Sequence, residues 1–181
     1  MTALLIRRLI IEHLLMNTIF LLLGGNLGDK GTTLQNAMKL ISEQIGEVEK
    51  TSSVYETKAW GVKNQPDFYN QVVQLKTKLA PLAALMAIQS VEIQLGRTKR
   101  QKWHARIIDI DILYYGNQFI GTDVLRVPHS QMHNRNFALY PLNEIAPDFI
   151  HPILKKTTTQ LLEECKDNLP VKKLELQVSN G

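Results

Sequence analysis

The sequence predicts an α+β fold: a ferredoxin-like βαββαβ core with additions, built on a mainly antiparallel sheet flanked by helices. The prediction rests on the order of apolar patterns, which runs strand, helix, strand, strand, helix, strand along the chain. It also rests on length, since 181 residues suit one core of ordinary size better than two. The single cysteine, Cys165, excludes an intramolecular disulfide and is typical of a reducing compartment, so we expect a cytoplasmic protein.

The first half of the chain predicts three strands and one helix. Residues 18–23 form a short apolar run stopped by GGNLG, which indicates a buried strand entering a tight turn. Apolar residues recur at helical spacing over residues 34–45, and Gly46 is placed to end that helix. Residues 48–57 and 68–77 are rich in β-branched residues, which predicts two strands with a long loop between them.

The second half begins with a helix over residues 81–96, with proline in its first turn and glycine at its end. A strand is predicted over residues 106–115, and Gly116-Asn117 predicts a hairpin whose return strand includes Phe119 and Ile120. Further helices are expected over residues 139–145 and 158–166, with a last strand at 171–178.

Residues 1–17 are expected to be an N-terminal extension outside the core fold, leaving residues 18–181 as one domain. Arg7, Arg8, Glu12 and His13 interrupt the apolar run, which fits neither a signal peptide nor a membrane span. The alternative is an amphipathic helix that docks on a partner or a membrane surface. The net charge of +4 suggests an anionic partner but does not distinguish nucleic acid, membrane and phosphorylated ligand.

The segment RIIDIDIL places two acids in an otherwise apolar strand. Alternate residues face the same side of a strand, so Asp109 and Asp111 point one way while Ile108, Ile110 and Ile112 point to the core. Two carboxylates about 6.6 Å apart along a strand repel each other, and a cation between them makes the total electrostatic energy favourable. The pair therefore indicates either a Mg²⁺ site or a solvated acidic face, and these two residues alone do not distinguish the two interpretations.

A basic loop precedes the acids and favours the metal site. Arg97, Lys99, Arg100, Lys102 and Arg106 fall within ten residues. Arginine binds phosphate oxygens in forked pairs, and a metal ion beside it neutralises phosphoryl charge. Together the two features predict a polyphosphate ligand, although a basic loop alone is more often a solvated loop.

Aromatic and amide residues suit a flat heterocycle. Phe68 and Asn70 share a strand face, where one offers an apolar surface and the other an amide that donates and accepts. Arg135 and Phe137 add a cation and an aromatic ring from a later loop.

Four further positions extend the candidate site. Gln89 and Glu92 lie three residues apart on the second helix and hence side by side, with Glu92 in register with the apolar face. His129 and His133 are better interpreted as loop donors than as a zinc pair, because Pro128 argues against a helix there.

These blocks resemble the 6-hydroxymethyl-7,8-dihydropterin pyrophosphokinase family, which transfers pyrophosphate from ATP to a pterin alcohol in folate biosynthesis. The matching blocks, in order over residues 18–152, are GGNLGD, SSVYET, QPDFYN, VEIQLGR, RIIDIDIL, VPH, NR-x-F and PLNEIAP. The chain departs from the family pattern at His104-Ala105, and Phe68 stands where tyrosine is common.

The resemblance implies a role for each matching residue. Asp109 and Asp111 would hold two Mg²⁺ ions, with Arg97 and Arg106 as the phosphate contacts and with these four as the catalytic set. The pterin would contact Thr57, Trp60, Phe68, Asn70 and Phe137. The nucleotide would contact Gln89, Glu92, Arg97, Trp103, Arg106, Ile112, His129 and Arg135.

Two other functions are open at this stage. A two-metal nucleotidyl transferase or cyclase can use acids on such a strand, and topology and charge also allow a ferredoxin-like RNA-binding module. With the pyrophosphokinase hypothesis we expect a monomer that acts on small molecules, without nucleic-acid or membrane partners.

Overall fold

The computed structural model describes residues 16–59, 65–98 and 105–175, and residues 1–15, 99–104 and 176–181 lie outside that description, as do 60–64. The described elements, in chain order, are β1 (Asn17–Gly25), α1 (Lys30–Gln44), β2 (Glu47–Thr51), β3 (Val54–Thr57), β4 (Phe68–Thr77), α2 (Pro81–Gln94), β5 (Asp109–Tyr115), β6 (Ile120–Gly121), β7 (Arg126–Val127), a 3₁₀ turn (Met132–Asn134), α3 (Asn136–Ile145), α4 (Thr158–Glu164) and β8 (Val171–Leu174).

The main sheet has the order β5-β1-β4-β3-β8, with β2 also paired to β4, and its pairings are antiparallel. The four core strands thus keep the ferredoxin-like arrangement, in which the first strand lies between the last and the third. The predicted α+β fold with an antiparallel sheet and flanking helices is confirmed. None of the helices in the described ranges is long and apolar enough to cross a membrane.

Strand alternation divides the apolar residues between two cores. Ile19, Leu21 and Leu23 of β1 face the first core, where they pack against α1 and α2. Phe20 and Leu22 face the second core, which α3 covers from the opposite side of the sheet. A strand buried on both faces reads as a continuous apolar run, as the sequence of β1 does.

Residues at the N-termini of α1 and α2 determine where these two helices begin. Asp29 caps α1, since its carboxylate accepts the N–H of Thr32 at 3.1 Å. Pro81 occupies the first turn of α2, where its missing N–H costs no hydrogen bond. Both helices cover the ranges that periodicity predicts to within a few residues.

The predicted strand over residues 48–57 is wrong as a single element. It is interrupted at Ser52 and Ser53, giving β2 and β3. Ser52 keeps contact with β4 across the break, donating its N–H to Val72 O and accepting the N–H of Val72 on its hydroxyl, both at 2.9 Å. Ser53 turns toward α3 and binds the carboxylate of Glu144.

The predicted hairpin after β5 is also wrong. Gly116 does make a turn, with φ of 52°, but Ile120 pairs with Val127 of β7 instead of β5. The far edge of β5 is met by the loop after β7, where His129 donates its N–H to Leu113 O at 3.0 Å. An edge strand needs a partner for its peptide groups, and here a residue distant in sequence supplies it.

The remaining predicted ends differ modestly. β5 begins at Asp109 rather than at residue 106, α3 begins at Asn136 rather than at residue 139, and α4 ends at Glu164. β8 ends at Leu174, and the last residues of its predicted range lie outside the described part of the chain. β1 begins at Asn17, so the strand takes in the last residue of the predicted extension.

Candidate active site

Strand pairing places Asp109 and Asn70 on one face of the sheet. Gly24 of β1 is opposite Asp109 on one side and opposite Asn70 on the other. Directly paired residues point to the same face, and two strand spacings separate the outer positions by about 10 Å. A Cβ on Gly24 would lie 3.1 Å from Asn70 Oδ1, so glycine keeps the floor between the two side chains open.

Asp111 lies on the same face, one step further along β5. It pairs with Leu22, whose side chain faces the second core. Ile110 and Ile112 face the first core, as alternation predicts. The side chain of Ile112 is therefore directed away from the face that carries the aspartates, and any contact of Ile112 with a nucleotide falls to its backbone.

Two arginines converge on Asp109. Arg97 Nη1 lies 2.7 Å from Asp109 Oδ1, and Arg106 pairs with the other carboxylate oxygen. Arg97 also pairs with Glu92. The two arginines that the sequence assigns to phosphate thus neutralise a carboxylate in the free protein.

Glu92 joins the end of α2 to the start of β5. Glu92 is 5 % exposed, and its carboxylate accepts the N–H of Ile110 at 2.7 Å. Burial raises the pKa of Glu92 against the opposing effect of the Arg97 guanidinium. Sequence spacing placed Glu92 near the site, and the structure shows that it fixes both Arg97 and the strand of aspartates.

Asp111 has the environment of a carboxylate in need of a cation. Burial, followed by the charges of Asp109 and Glu92, raises its pKa, and Arg135 and Arg106 offset only part of that effect. A divalent cation binds favourably where neighbouring arginines do not fully neutralise a group of carboxylates. Asp109 and Asp111 are therefore suitable ligands for Mg²⁺. Within the described ranges, no group of three or more His, Cys, Asp or Glu side chains could hold a metal ion by itself.

His129 is a neutral group near the aspartates. Burial, then the charge of Arg135, lowers its pKa to about 4. Its Nδ1 accepts the N–H of Gln131 at 3.4 Å, which leaves the hydrogen on Nε2 as a donor. The ring of His133, the other loop histidine, lies 6.3 Å from that of His151.

The candidate heterocycle side is assembled from β3, β4 and α3. Asn70 is 3 % exposed and its Nδ2 donates to Thr57 Oγ1 at 2.8 Å. Phe68 is opposite Thr57 in the sheet. Phe137 packs against the second core, and the guanidinium of Arg135 lies 5.6 Å from its ring centre. Trp60 and Trp103 lie outside the described residues, and Gln89 is exposed on α2.

Asn26 is a site residue that sequence reasoning missed. It is 2 % exposed, and its Oδ1 accepts the N–H of Arg106 at 2.8 Å. Its Nδ2 donates at 3.2 Å to Gln65 Oε1 and to the carbonyl of Pro66. One side chain therefore connects the loop before β5 to the loop before β4. The only signal in the sequence is an asparagine directly after the two glycines that end the predicted strand, a pattern that a tight turn explains equally well.

Gly25 explains why this turn needs glycine. A Cβ there would lie 2.2 Å from the carbonyl oxygen of Ile107. The glycine pair thus serves close packing of the loop that carries Arg106 as well as a turn.

Comparison with known proteins identifies the family. Residues 20–147 match the family model of 7,8-dihydro-6-hydroxymethylpterin-pyrophosphokinase (HPPK). The chain belongs to the HPPK family.

Full-length relatives agree with this assignment. The chain is 45 % identical over 149 residues to 2-amino-4-hydroxy-6-hydroxymethyldihydropteridine pyrophosphokinase of Aquifex aeolicus, covering 82 % of this chain and 92 % of the relative. The relative of the same name from Haemophilus influenzae is 38 % identical, with 87 % and 98 % covered. The predicted resemblance to the HPPK family is confirmed.

Solved structures support the HPPK fold. The crystal structure of wild-type Plasmodium falciparum HPPK-DHPS matches with a TM-score of 0.67 at 19 % identity, over 82 % of this chain. The chain spans 44 % of that longer protein, and 43 % of a second HPPK-DHPS solved in complex with substrates, with a TM-score of 0.66. The match shows that the strands and helices of this chain are arranged as in those two solved structures.

Proposed function

We propose that the protein transfers the pyrophosphoryl group of ATP to 6-hydroxymethyl-7,8-dihydropterin, giving AMP and the pterin pyrophosphate in folate synthesis. Family membership supports the reaction. One observation connects this proposal to particular residues. Asp109, Gly24 and Asn70 are paired side by side on three neighbouring strands and share one face of the sheet. It provides an anionic metal side and an amide-bearing heterocycle side, with an open floor between them.

The pterin is assigned to the Asn70 side. An amide that both donates and accepts matches the edge of a pterin ring, and Thr57 orients that amide through its hydroxyl. Phe68 and Phe137 supply aromatic faces for stacking. Trp60 completes the proposed set, which is assigned from the family pattern.

The nucleotide is assigned to the β5 side. Asp109 and Asp111 would hold two Mg²⁺ ions, which when bound neutralise phosphate charge and orient the polyphosphate. Arg97 and Arg106 would then exchange Asp109 for phosphate oxygens. The other proposed nucleotide contacts are Gln89, Glu92, Trp103, Ile112, His129 and Arg135.

The residues act by positioning and electrostatics. The hydroxymethyl oxygen of the pterin forms a bond to the β-phosphorus and loses its proton to water, the bond from that phosphorus to the oxygen of the α-phosphate breaks, and AMP leaves. Asn70 and the aromatic rings hold the attacking alcohol, and the arginines stabilise the charge that moves onto the leaving group. No covalent enzyme intermediate is required.

The proposed setting is that of a cytoplasmic monomer acting on small molecules, without a nucleic-acid or membrane partner. The cysteine-poor sequence supports the cytoplasmic part of this proposal.

The decisive experiment incubates the protein with ATP, Mg²⁺ and the dihydropterin alcohol and identifies the products by chromatography and mass spectrometry. AMP with the pterin pyrophosphate is expected, and removal of Mg²⁺ by EDTA should stop turnover. Release of inorganic pyrophosphate would instead support the nucleotidyl transferase or cyclase hypothesis. Tight, salt-sensitive RNA binding without turnover would support the RNA-binding hypothesis.

A further inference from the structure

Helix α2 is apolar on two opposite faces. Its inner face buries Ala84, Ile88 and Val91 in the first core. Its outer face has Leu82, Met86 and Ile93 at helical spacing, and we call these three residues the outer stripe. A helix that is apolar all round is normally covered on both sides.

The outer stripe is exposed within the described structure. Leu82 is 52 % exposed, Met86 70 % and Ile93 68 %. α1 flanks the helix without covering this stripe, and the flank is polar, where Gln44 and Gln94 exchange hydrogen bonds at 3.1 Å.

Charge is missing from this face as well. The sequence of α2 contains one ionisable residue, Glu92, and that residue is buried. Solvated helix faces usually carry Lys, Glu or Arg, so an uncharged apolar face indicates a partner.

A segment of the same chain has the matching composition. Residues 4–15 contain eight leucine or isoleucine residues among twelve. That proportion is high for a segment in contact with water, which must bury its side chains somewhere.

The start of β1 lies close enough to α2 for that segment to reach the stripe. Asn17, at the start of β1, is paired with Thr77 at the end of β4, four residues before Pro81 begins α2. A strand spacing plus four extended residues limits the distance from Asn17 to Pro81 to about 18 Å. Twelve residues span about 18 Å as a helix and about 40 Å when extended, and the fourteen residues of α2 span about 21 Å.

We propose that residues 4–15 pack along the outer stripe of α2 and cover it. The extension then belongs to the folded unit as a third layer over α2, in contrast to the expectation that it lies outside the core. Because the stripe begins at the end of β1 remote from Asp109, the contact at Leu82 and Met86 lies away from the proposed chemistry.

Disulfide trapping in the full-length chain tests the contact directly. In a Cys165→Ser background, Met86→Cys is combined in turn with Ile6→Cys and with Ile10→Cys, and each protein is oxidised at low concentration. A disulfide within one chain, identified by peptide mass spectrometry, is expected in at least one pair. Ile153→Cys, on another exposed apolar position of 51 %, replaces Met86→Cys in the control and should not cross-link.

Thermal unfolding of full-length charge variants supplies a second measurement. Met86→Glu should lower Tm by several degrees, Ile10→Glu should do the same, and the double variant should lower Tm by less than the sum. Ile153→Glu, a matched exposed position, should change Tm little.

Three outcomes would overturn the proposal. Additive Tm changes with no cross-link would show that the stripe and the segment do not meet. A disulfide between two chains would show that a second copy covers the stripe. Sedimentation with vesicles of phosphatidylcholine and phosphatidylserine, lost in Met86→Glu, would show a membrane surface. None of these readouts depends on catalysis, so they stand apart from any failure of the proposed activity.

Discussion

Asp111 illustrates how a single residue can be placed for function at the expense of stability. Its carboxylate lies near Asp109 and Glu92, while Arg97 and Arg106 pair with Asp109. Burial, followed by those negative neighbours, raises the pKa of Asp111 from 3.8 to about 7. The folded protein therefore holds a proton there that the unfolded chain would release.

We predict that Asp111→Asn stabilises the free protein and nearly abolishes turnover. A raised folded-state pKa gives stability that is complete below the unfolded value of 3.8 and is lost as pH rises through about 7. Asparagine does not ionise, so the Tm of the variant should exceed that of wild type by more at about pH 8 than at about pH 5, which lies inside the window where wild type is still losing stability. Differential scanning calorimetry at both pH values checks this.

Asp109→Asn is the matched variant. It removes the partner of Arg97 and Arg106, so its Tm should fall at both pH values while turnover also falls. Equal Tm changes in the two variants would contradict the assigned roles of the two aspartates, and near-normal turnover in either would contradict the metal proposal.

A second residue-scale prediction concerns Gly25. Alanine there would place Cβ 2.2 Å from Ile107 O, a backbone atom that cannot rotate away. We expect Gly25→Ala to destabilise the protein by about 1–3 kcal/mol and to raise the KM for ATP, because the adjacent loop carries Arg106. Urea unfolding and steady-state kinetics measure both effects.

Gly31→Ala is the control for that change. Gly31 lies in the first turn of α1, where the nearest atom to an added Cβ is Asp29 Oδ1 at 3.6 Å. Alanine should stabilise this helix by about 0.5–1 kcal/mol without a change in KM. Destabilisation by Gly31→Ala equal to that by Gly25→Ala would show that loss of glycine, and not the clash, is responsible.

At the scale of elements, the site depends on two connections between distant segments. Glu92 connects α2 to β5, because its carboxylate accepts a hydrogen bond from the N–H of Ile110. Asn26 fastens the loop before β5 to the loop before β4, through Arg106 on one side and Gln65 on the other. The first connection orients the arginine and aspartates, and the second joins the proposed nucleotide side to the proposed pterin side.

We predict that Asn26→Ala weakens the binding of both substrates. Loss of a buried hydrogen-bonding group costs about 1–3 kcal/mol, and the two loops it joins serve different ligands. The KM for ATP and the KM for the pterin should both rise, as measured by steady-state kinetics with each substrate varied. Asn117→Ala, in an exposed turn, should leave both unchanged. A change confined to one KM would contradict the coupling role.

At the scale of the whole molecule, the sheet separates two cores that differ in how completely their polar groups are paired. Tyr115 faces the first core and donates its hydroxyl to Leu79 O. Tyr114 faces the second core, where its hydroxyl has no hydrogen-bond partner among the described residues. Both side chains are fully buried, so these neighbours provide a matched pair.

We predict opposite effects of removing the two hydroxyls. Tyr114→Phe should stabilise the protein by about 1 kcal/mol, because it removes an unpaired buried group. Tyr115→Phe should destabilise it by about the same amount, because it leaves Leu79 O unpaired. Urea unfolding measures both, and a loss of stability in Tyr114→Phe would indicate that a buried water satisfies its hydroxyl.

The sequence by itself determined the class of fold, the faces of β5 and the family. These follow from local signals: a period of two sets which way Asp109 and Ile110 point, and a period near 3.6 sets the inner face of α1. Asp109 and Asn70 were predicted as site residues from strand alternation and Arg97 from a run of basic residues, and each of these patterns has members that lie close in the chain.

Only the tertiary structure shows which residues from distant parts of the chain these side chains and strands contact. The hydrogen bond from Arg106 to Asn26 spans 80 residues, and the break at Ser52 depends on Val72 and Glu144. The failed hairpin depends on His129 reaching the edge of β5. Such contacts leave no periodic pattern in the chain, because each joins two segments whose distance in space is set by the packing of the whole sheet and not by their separation in sequence.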